Sequence, residues 1–500
     1  MPAARLSNRG MRFVSKTNTQ MSSGNNRLCY KAFAEAKSCL PKIIVGTGAR
    51  KQMKTAASLA MTAATVDPQF AAYIGLDWGD QKHAWALQVA GGCKIEQGEV
   101  ESTPEAMECW VSELTQRFGS QRIAIALEQS RGSVVAQLSK YSNLVLYPIN
   151  PKSAADYRSS FRLSGAKSDD VDAVLWLEIL TLHRDRLRPL QPDTVETRML
   201  RVLTEQRRNV VNSQTACSNQ LTDLLKQIFP QALEWLDKVA TAMACDFLRR
   251  WPTLQQLKRS RSHTVQQFFQ QHNSRSAERI QERLEQIARA VPATEDRALL
   301  EPGVMMIDFL TRQLDHLREA IVALNAKIRK VATAHPDYAL VASFPGAGPV
   351  MAPRLIALLG TNRERFASAS ELQCFSGIAP VTEASGKQHW IHWRLACSKF
   401  DRQSVHEWAQ HSMKKCQWAR EYYDAQRDRG KGHHTAIRAL GYKWLRILYR
   451  CWKNHTPYEE SRYLESRQSR RAEEPKNSTA PVNITWKSCG SFSRPAAISY

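Results

Sequence analysis

From about Ala71 onward, short apolar runs alternate with longer amphipathic stretches; before that point periodicity is weak and Ser, Asn, Thr, Ala and Lys dominate. Residues 72–76 have the length and apolarity of a buried strand. Residues 83–90 and 94–100 predict a hairpin that turns at Gly91-Gly92. Thr103-Pro104-Glu105 opens a helix to about Phe118, with proline in the first turn, where its missing N–H is not needed. Residues 122–127 predict a second buried strand, 133–141 a helix, and 144–147 a strand stopped by Pro148. Helix resumes after Asn150-Pro151, and Ser168 or Asp169 caps a further helix through Val174, Leu175, Leu177 and Ile179.

Three strands followed by helix, strand, helix, strand and helix is the order of a ribonuclease-H-like α/β domain, here over residues 71–187. Residues 188–335 read as almost wholly helical. Leu310, Leu314, Leu317, Ile321, Leu324 and Ile328 advance in steps of four and three, a heptad seam. An earlier helix carries Met199, Leu200, Val202 and Leu203, then Leu221, Leu224, Leu225 and Ile228. With breaks near Pro230 and Pro252, the two helices suit an antiparallel hairpin or bundle within the chain, or a dimerising coiled coil. Residues 336–465 predict a mostly helical third segment. In it Phe344-Pro345-Gly346-Ala347-Gly348-Pro349 resembles the turn of a helix-hairpin-helix motif, where Gly346 and Gly348 would let backbone amides approach a phosphate. Residues 1–70 read as a disordered extension or an over-long start, with Met53 and Met61 as alternative starts, and 466–500 as a disordered tail.

Composition narrows the function. Seventy Lys and Arg against forty-seven Asp and Glu leave a net charge of +23, which suits a polyphosphate partner. The eleven cysteines show no C-x-x-C pair and no zinc spacing, which suits reduced thiols in a cytoplasm. No apolar stretch approaches the ~18 residues that a membrane span needs.

Against that basic background four carboxylates stand out. Asp77 ends the first strand, in Gly75-Leu76-Asp77-Trp78-Gly79, and Glu128 ends the second. Acids at the carboxyl ends of strands point into the crevice where α/β sheets bind ligands. Asp169 and Asp172 lie three apart, on one face of the helix that they open, whereas Asp170 is off it. Hard oxygen donors of this kind suit Mg²⁺ or Mn²⁺. Downstream, Ser385 precedes Gly386 in an open stretch, with Lys387 and Arg394 near enough in sequence to hold a phosphate. Arg438, Lys443 and Arg446 form a basic face alternating with Ile437, Leu440, Trp444 and Ile447.

Taken in order, these blocks resemble the DEDD-type transposases of bacterial insertion-sequence family 110, in particular its subgroup 1111. The resemblance covers residues 71–465. It rests on Gly75-Leu76-Asp77-Trp78-Gly79, Leu127-Glu128-Gln129-Ser130, Pro148-Ile149-Asn150-Pro151, and Lys167-Ser168-Asp169 with Asp172-Ala173. Further on it includes Phe375-Ser376-Gly377-Ile378-Ala379-Pro380, Ser385-Gly386-Lys387, His406-Glu407-Trp408-Ala409 and Lys443-Trp444-Leu445-Arg446. The resemblance implies a RuvC-like branch of the fold, with Asp77, Glu128, Asp169 and Asp172 as catalytic metal ligands. It implies a coiled-coil insertion used in assembly, as a homodimer or homotetramer, and a C-terminal transposase domain whose serine, here Ser385, links covalently to DNA. It also implies donor and target DNA selected by a structured guide (bridge) RNA, and a place in the bacterial cytoplasm, at the nucleoid. Two departures bear on it: Ser168 stands where the family usually has threonine, and Asp401 interrupts a stretch that is usually more apolar. Two other readings use the same residues. A junction-resolving nuclease would activate water and leave Ser385 idle; a basic scaffold would bind nucleic acid without cutting it.

Overall fold

The computed structural model describes residues 69–473 except Gln129, 162–168, 273–275 and Lys387. Residues 1–68 of the expected extension 1–70, residues 474–500 of the expected tail 466–500, and Lys167, Ser168 and Lys387 lie outside the described residues; Phe70 is instead buried in a core, and 466–473 continue a helix. The chain divides after Leu190 into two compact units.

The first unit is built on a mixed five-stranded sheet in the order β3-β2-β1-β4-β5. Its strands are β1 (Ala72–Asp77), β2 (Lys82–Val89), β3 (Ile95–Glu101), β4 (Ile123–Leu127) and β5 (Leu144–Pro148). β1 is central, antiparallel to β2 and parallel to β4, and β4 is parallel to β5. The helices are α1 (Pro104–Phe118), α2 (Ser133–Leu138), α3 (Pro151–Phe161) and α4 (Asp169–His183). This mixed α/β arrangement fits a ribonuclease-H-like domain.

Two details differ from the sequence reading. Pro148 belongs to β5, opposite Leu127, because β5 is an edge strand and a missing N–H breaks no ladder there. The helix expected to reach Tyr141 stops at Leu138, and turn bonds from Lys140 and Tyr141 close the segment.

The alternation along β1 and β4 decides where the acids go. Ile74, Leu76, Ile123, Ile125 and Leu127 pack with Met107, Trp110, Val111 and Leu138 on the face that α1 and α2 cover. Successive residues face opposite ways, so Tyr73, Gly75 and Asp77 share the other face with Ala124 and Ala126. That face is small-chained, and α4 settles close to it. A Cβ on Gly75 would lie 2.0 Å from the Ala173 carbonyl oxygen and 2.4 Å from Leu177 N. The glycine is therefore a requirement of packing between strand and helix.

In the second unit, α5 (Val195–Ile228) and α11 (Arg297–Thr333) run antiparallel. The contacts reverse along them: Thr197 meets His335 just past α11, Arg207 bonds Asn325, Cys217 bonds Leu310, and Gly303 faces Ile228. Of the arrangements left open by the heptad pattern, the seam thus packs on a helix of its own chain, with Leu310, Leu314 and Ile328 buried. Between the long helices five short ones, α6 (Gln231–Trp235), α7 (Ala242–Arg250), α8 (Leu254–Lys258), α9 (Ser262–Gln271) and α10 (Ala277–Arg289), close a core of Phe229, Trp235, Phe247, Trp251 and Phe269 over one end.

At the other end Leu200, Ile328 and Ala332 join a second core with the C-terminal segment. That segment contains α12 (Tyr338–Ala342), α13 (Met351–Leu359), α14 (Ala369–Phe375), β6 (Val381–Ser385), β7 (Gln388–His392), α15 (Lys399–Ser412), α16 (Gln417–Asp428), α17 (His433–Lys453) and α18 (Glu460–Glu473). The antiparallel hairpin β6–β7 was not anticipated in a segment read as mostly helical. Asp401, the residue that looked out of place, is fully buried and forms an ion pair with Arg201 of α5.

Candidate functional site

Asp77 is 8% exposed and faces α4 at the end of β1. Its Oδ1 accepts a 3.0 Å hydrogen bond from the indole Nε1 of Trp176. Burial pushes its carboxyl up to about 6; the Trp176 bond pulls the other way, and the charges of Asp172, Asp169 and Glu128 add to the rise. Those three influences show that the four carboxylates share one corner. Glu128 follows β4, parallel to and beside β1, and is exposed. Asp169 and Asp172 open α4; Asp169 is exposed and Asp172 is 3% exposed. Asp170, in the same turn, is exposed.

The turn after β1 completes the corner. Gly79 N donates to Nδ1 of the buried His83 over 3.3 Å. Burial lowers the pKa of His83, so its neutral ring serves as the acceptor. A Cβ on Gly79 would lie 2.1 Å from Lys82 O and 3.9 Å from Asp169 Oδ2, so this turn closes down beside the acids.

The donor set suits a hard divalent ion, and Asp77 has its pKa raised chiefly by burial, with the neighbouring acids adding to the rise. In the arrangement observed, Asp172 is paired with Arg158 of α3. Among the described residues no three His, Cys, Asp or Glu side chains gather closely enough to hold a metal ion. The residues therefore fit a divalent ion by chemistry and position, with the Arg158 guanidinium occupying part of the coordination space of Asp172.

Sequence reasoning missed Trp176, Arg158 and Gly75. Trp176 was legible, since it continues the face of Asp169 and Asp172 at the next four-residue step. Arg158 offered no signal, because its partner is set by how α3 packs on α4.

Ser385 is in the second unit. It is the last residue of β6, exposed, and paired in register with Gln388 across the turn. Gly386 has φ +56°, the left-handed geometry that tight hairpin turns need at that position. Among the described residues no acid or histidine is hydrogen-bonded to the Ser385 hydroxyl.

The remaining residues are dispersed over the second unit. Gly346 has φ +78°, and a Cβ there would come within 2.7 Å of Ser412 N; Gly348 is exposed with open space around it. They form one wall of a cleft of about 500 Å³ that His411, Lys414 and Lys415 also line. Arg394 donates to the Ala379 carbonyl oxygen. Arg438 lies against the ring of Trp393, and Lys443 lies over Tyr422 at 4.5 Å. Arg446 is exposed.

With this geometry in view, the relatives decide the class. The IS110-type DEDD transposase family matches residues 74–230, and the transposase IS116/IS110/IS902 family matches residues 338–424. The chain belongs to the IS110 family of transposases. The IS117 mini-circle protein of Streptomyces coelicolor is 28% identical to it over 78% of this chain and 96% of its own length. The IS110 insertion-element protein of the same organism is 23% identical over 77% of this chain and 95% of its own. The IS900 insertion-element protein of Mycobacterium paratuberculosis is 25% identical over 60% and 74%. The first family match contains Asp77, Glu128, Asp169 and Asp172, and the second contains Ser385. Among the described residues of this transposase no helix is long and apolar enough to cross a membrane.

Proposed function

We propose that this transposase cleaves and rejoins DNA strands at the ends and target of a bacterial insertion sequence. In this reading Asp77, Glu128, Asp169 and Asp172 hold Mg²⁺ or Mn²⁺, and Ser385 is the nucleophile. The observation that carries it is the buried Asp77, whose one hydrogen bond among the described residues comes from a neutral indole and whose charge is opposed by Asp172, Asp169 and Glu128. A structural role would call for a counter-ion there; a site for a cationic ligand leaves the place open. When bound, a divalent ion supplies charge neutralisation and polarisation at the scissile phosphate.

The chain's own residues do the rest. Trp176 fixes the rotamer of Asp77, and Gly75 sets the depth of α4, which carries Asp169 and Asp172. Asp172, paired with Arg158 in this arrangement, would be one of the residues that hold the ion, and Arg158 would then be placed to bind a phosphate. Ser385 Oγ forms a bond to phosphorus as the phosphodiester bond to the leaving sugar oxygen breaks; the hydroxyl proton ends on that oxygen. The linkage keeps the energy of the broken bond, so rejoining needs no nucleotide cofactor. The net charge of +23 supports DNA and a structured guide RNA as partners, and the family resemblance supports action as a homodimer or homotetramer in the bacterial cytoplasm, at the nucleoid. Subgroup 1111 is part of the same proposal.

The test uses a labelled DNA substrate in Mg²⁺. A denaturing gel should show protein-linked DNA for the wild type and none for Ser385→Ala or Asp77→Ala. Cleavage by Ser385→Ala at the wild-type rate would instead assign the chemistry to activated water. Cleavage that persists in excess chelator would remove the ion from the reading.

A further inference from the structure

The segment between the β6–β7 hairpin and α17 holds charge that no carboxylate among the described residues answers. Beyond residue 336 four arginines lie against aromatic rings and are also paired with a carboxylate: Arg354 with Glu407, Arg363 with Asp337, Arg365 with Asp193 and Arg420 with Asp424. Arg438 and Arg402 depart from this pattern. The Arg438 guanidinium lies 3.3 Å from the centre of the Trp393 ring, and that of Arg402 lies 5.7 Å from it. Neither forms an ion pair among the described residues. Nη2 of Arg438 donates to Thr435, and its Nη1 is buried with no partner. Arg402 bonds the Arg394 carbonyl oxygen and Cys397. Burial and the like charge of Arg402 bring Arg438 down to about 10, and no carboxylate opposes that shift. The nearest acid on the hairpin, Glu383, is engaged by His392 over 3.4 Å. Histidines extend the patch, with ring centres of His406 and His434 5.4 Å apart.

The ring is exposed as well. Trp393 is 55% exposed and Leu395 is 82% exposed, whereas Trp408, Trp444 and Trp452 are fully buried. Arg438 stacks on one face of the Trp393 ring, and the half-exposed ring with guanidinium groups that have no anion is a pairing that takes a nucleotide: the remaining face stacks a base, and the cations take its phosphate. Trp393 follows the strand pair Val381–His392, four residue steps from the pair Ser385–Gln388. Trp393 itself is five steps past Gln388, so at about 3.3 Å per residue it stands roughly 16 Å along the hairpin from Ser385, the span of a few nucleotides.

We propose that Trp393, Arg402 and Arg438 form a nucleotide subsite that holds one residue of a single-stranded segment by stacking its base on Trp393 and binding its phosphate with the two arginines. The inference rests on the reading of the chain as one that handles DNA strands. DNA and RNA share the chemistry that the subsite recognises, so the experiment carries both.

The measurement is fluorescence anisotropy of labelled oligo-dT, oligo-U and a duplex of equal length, with full-length protein carrying Ser385→Ala, in excess chelator. No strand is cut under these conditions, so failure of the cleavage reading would leave the result intact. Trp393→Leu keeps apolar bulk without a stacking face and should weaken single-strand binding about tenfold, with Trp393→Phe close to the parent. Arg438→Gln should lower the salt slope of single-strand binding by about one unit. Duplex affinity should stay within about twofold in Trp393→Leu, because stacked bases do not present their faces. Loss confined to oligo-dT or to oligo-U would name the strand held. Unchanged affinity of Trp393→Leu for both, or parallel losses on single strands and duplex, would overturn the subsite.

Discussion

The acid corner of the first unit and the interior of the helix pair in the second treat buried charge in opposite ways. In the second unit three deep side chains have partners. Asp401 takes Arg201, Arg354 takes Glu407 and Ser404, and His335 is bonded at both ring nitrogens, by Thr197 at 2.9 Å and by Asp337 N at 3.1 Å. In the acid corner Asp172 takes Arg158, whereas the buried Asp77 has a neutral indole for a partner and the like charges of Asp172, Asp169 and Glu128 near it. A compensated charge holds elements together and is costly to break. An uncompensated one is a standing cost, retained where a ligand supplies the missing charge. The contrast predicts that Asp401 and His335 serve the fold and that Asp77 serves a ligand.

The strongest way to break this contrast is at its base. Gly75→Val would drive a side chain into the Ala173 carbonyl oxygen, 2.0 Å from where its Cβ must sit. Loss of cooperative unfolding in the first unit is expected, by circular dichroism of residues 69–190 or of the full chain. An unchanged unfolding curve would mean that α4 is not seated by this glycine. Next in size, Asp401→Asn leaves Arg201 buried beside Glu205 alone and should cost about 3 kcal/mol in denaturant unfolding.

His335 gives a smaller, pH-dependent effect. Burial lowers its pKa from the ordinary 6.5, with the charge of Asp337 opposing. A neutral native imidazole contributes stability that is complete above the unfolded value and is lost as pH falls below it. The wild type should therefore lose more stability than His335→Asn between about pH 7.5 and about pH 5.5. Parallel curves would show that the ring is not held neutral.

The smallest effect sharpens the comparison most. Asp77→Asn removes a charge that its neighbours repel and should leave stability unchanged or raise it by about 1 kcal/mol in chelator, while abolishing cleavage. A loss as large as that of Asp401→Asn would place Asp77 among the structural groups.

Much of the first unit was legible along the chain. Short apolar runs mark β1 and β4, a proline and a capping threonine mark α1, and Asp77 and Glu128 stand at strand ends. The heptad seam predicted a helix partner, but not which one, because the apolar repeat is the same for a neighbour in the chain and for a second copy. The β6–β7 hairpin was not legible. Four of the five residues of β6 are exposed, so that strand carries no buried apolar face for periodicity to reveal.

What the sequence determined by itself is the set of chemical groups, their order, and the local elements that present them, since propensity, capping and alternation act over a few residues. Tertiary structure alone decided which charges are neutralised. Arg201 and Asp401 are 200 positions apart, Asp77 and Trp176 are 99 apart, and Arg158 reaches Asp172 only because α3 packs on α4. Compensation of a buried charge depends on distances of a few ångströms, and those are set when the elements close around a core.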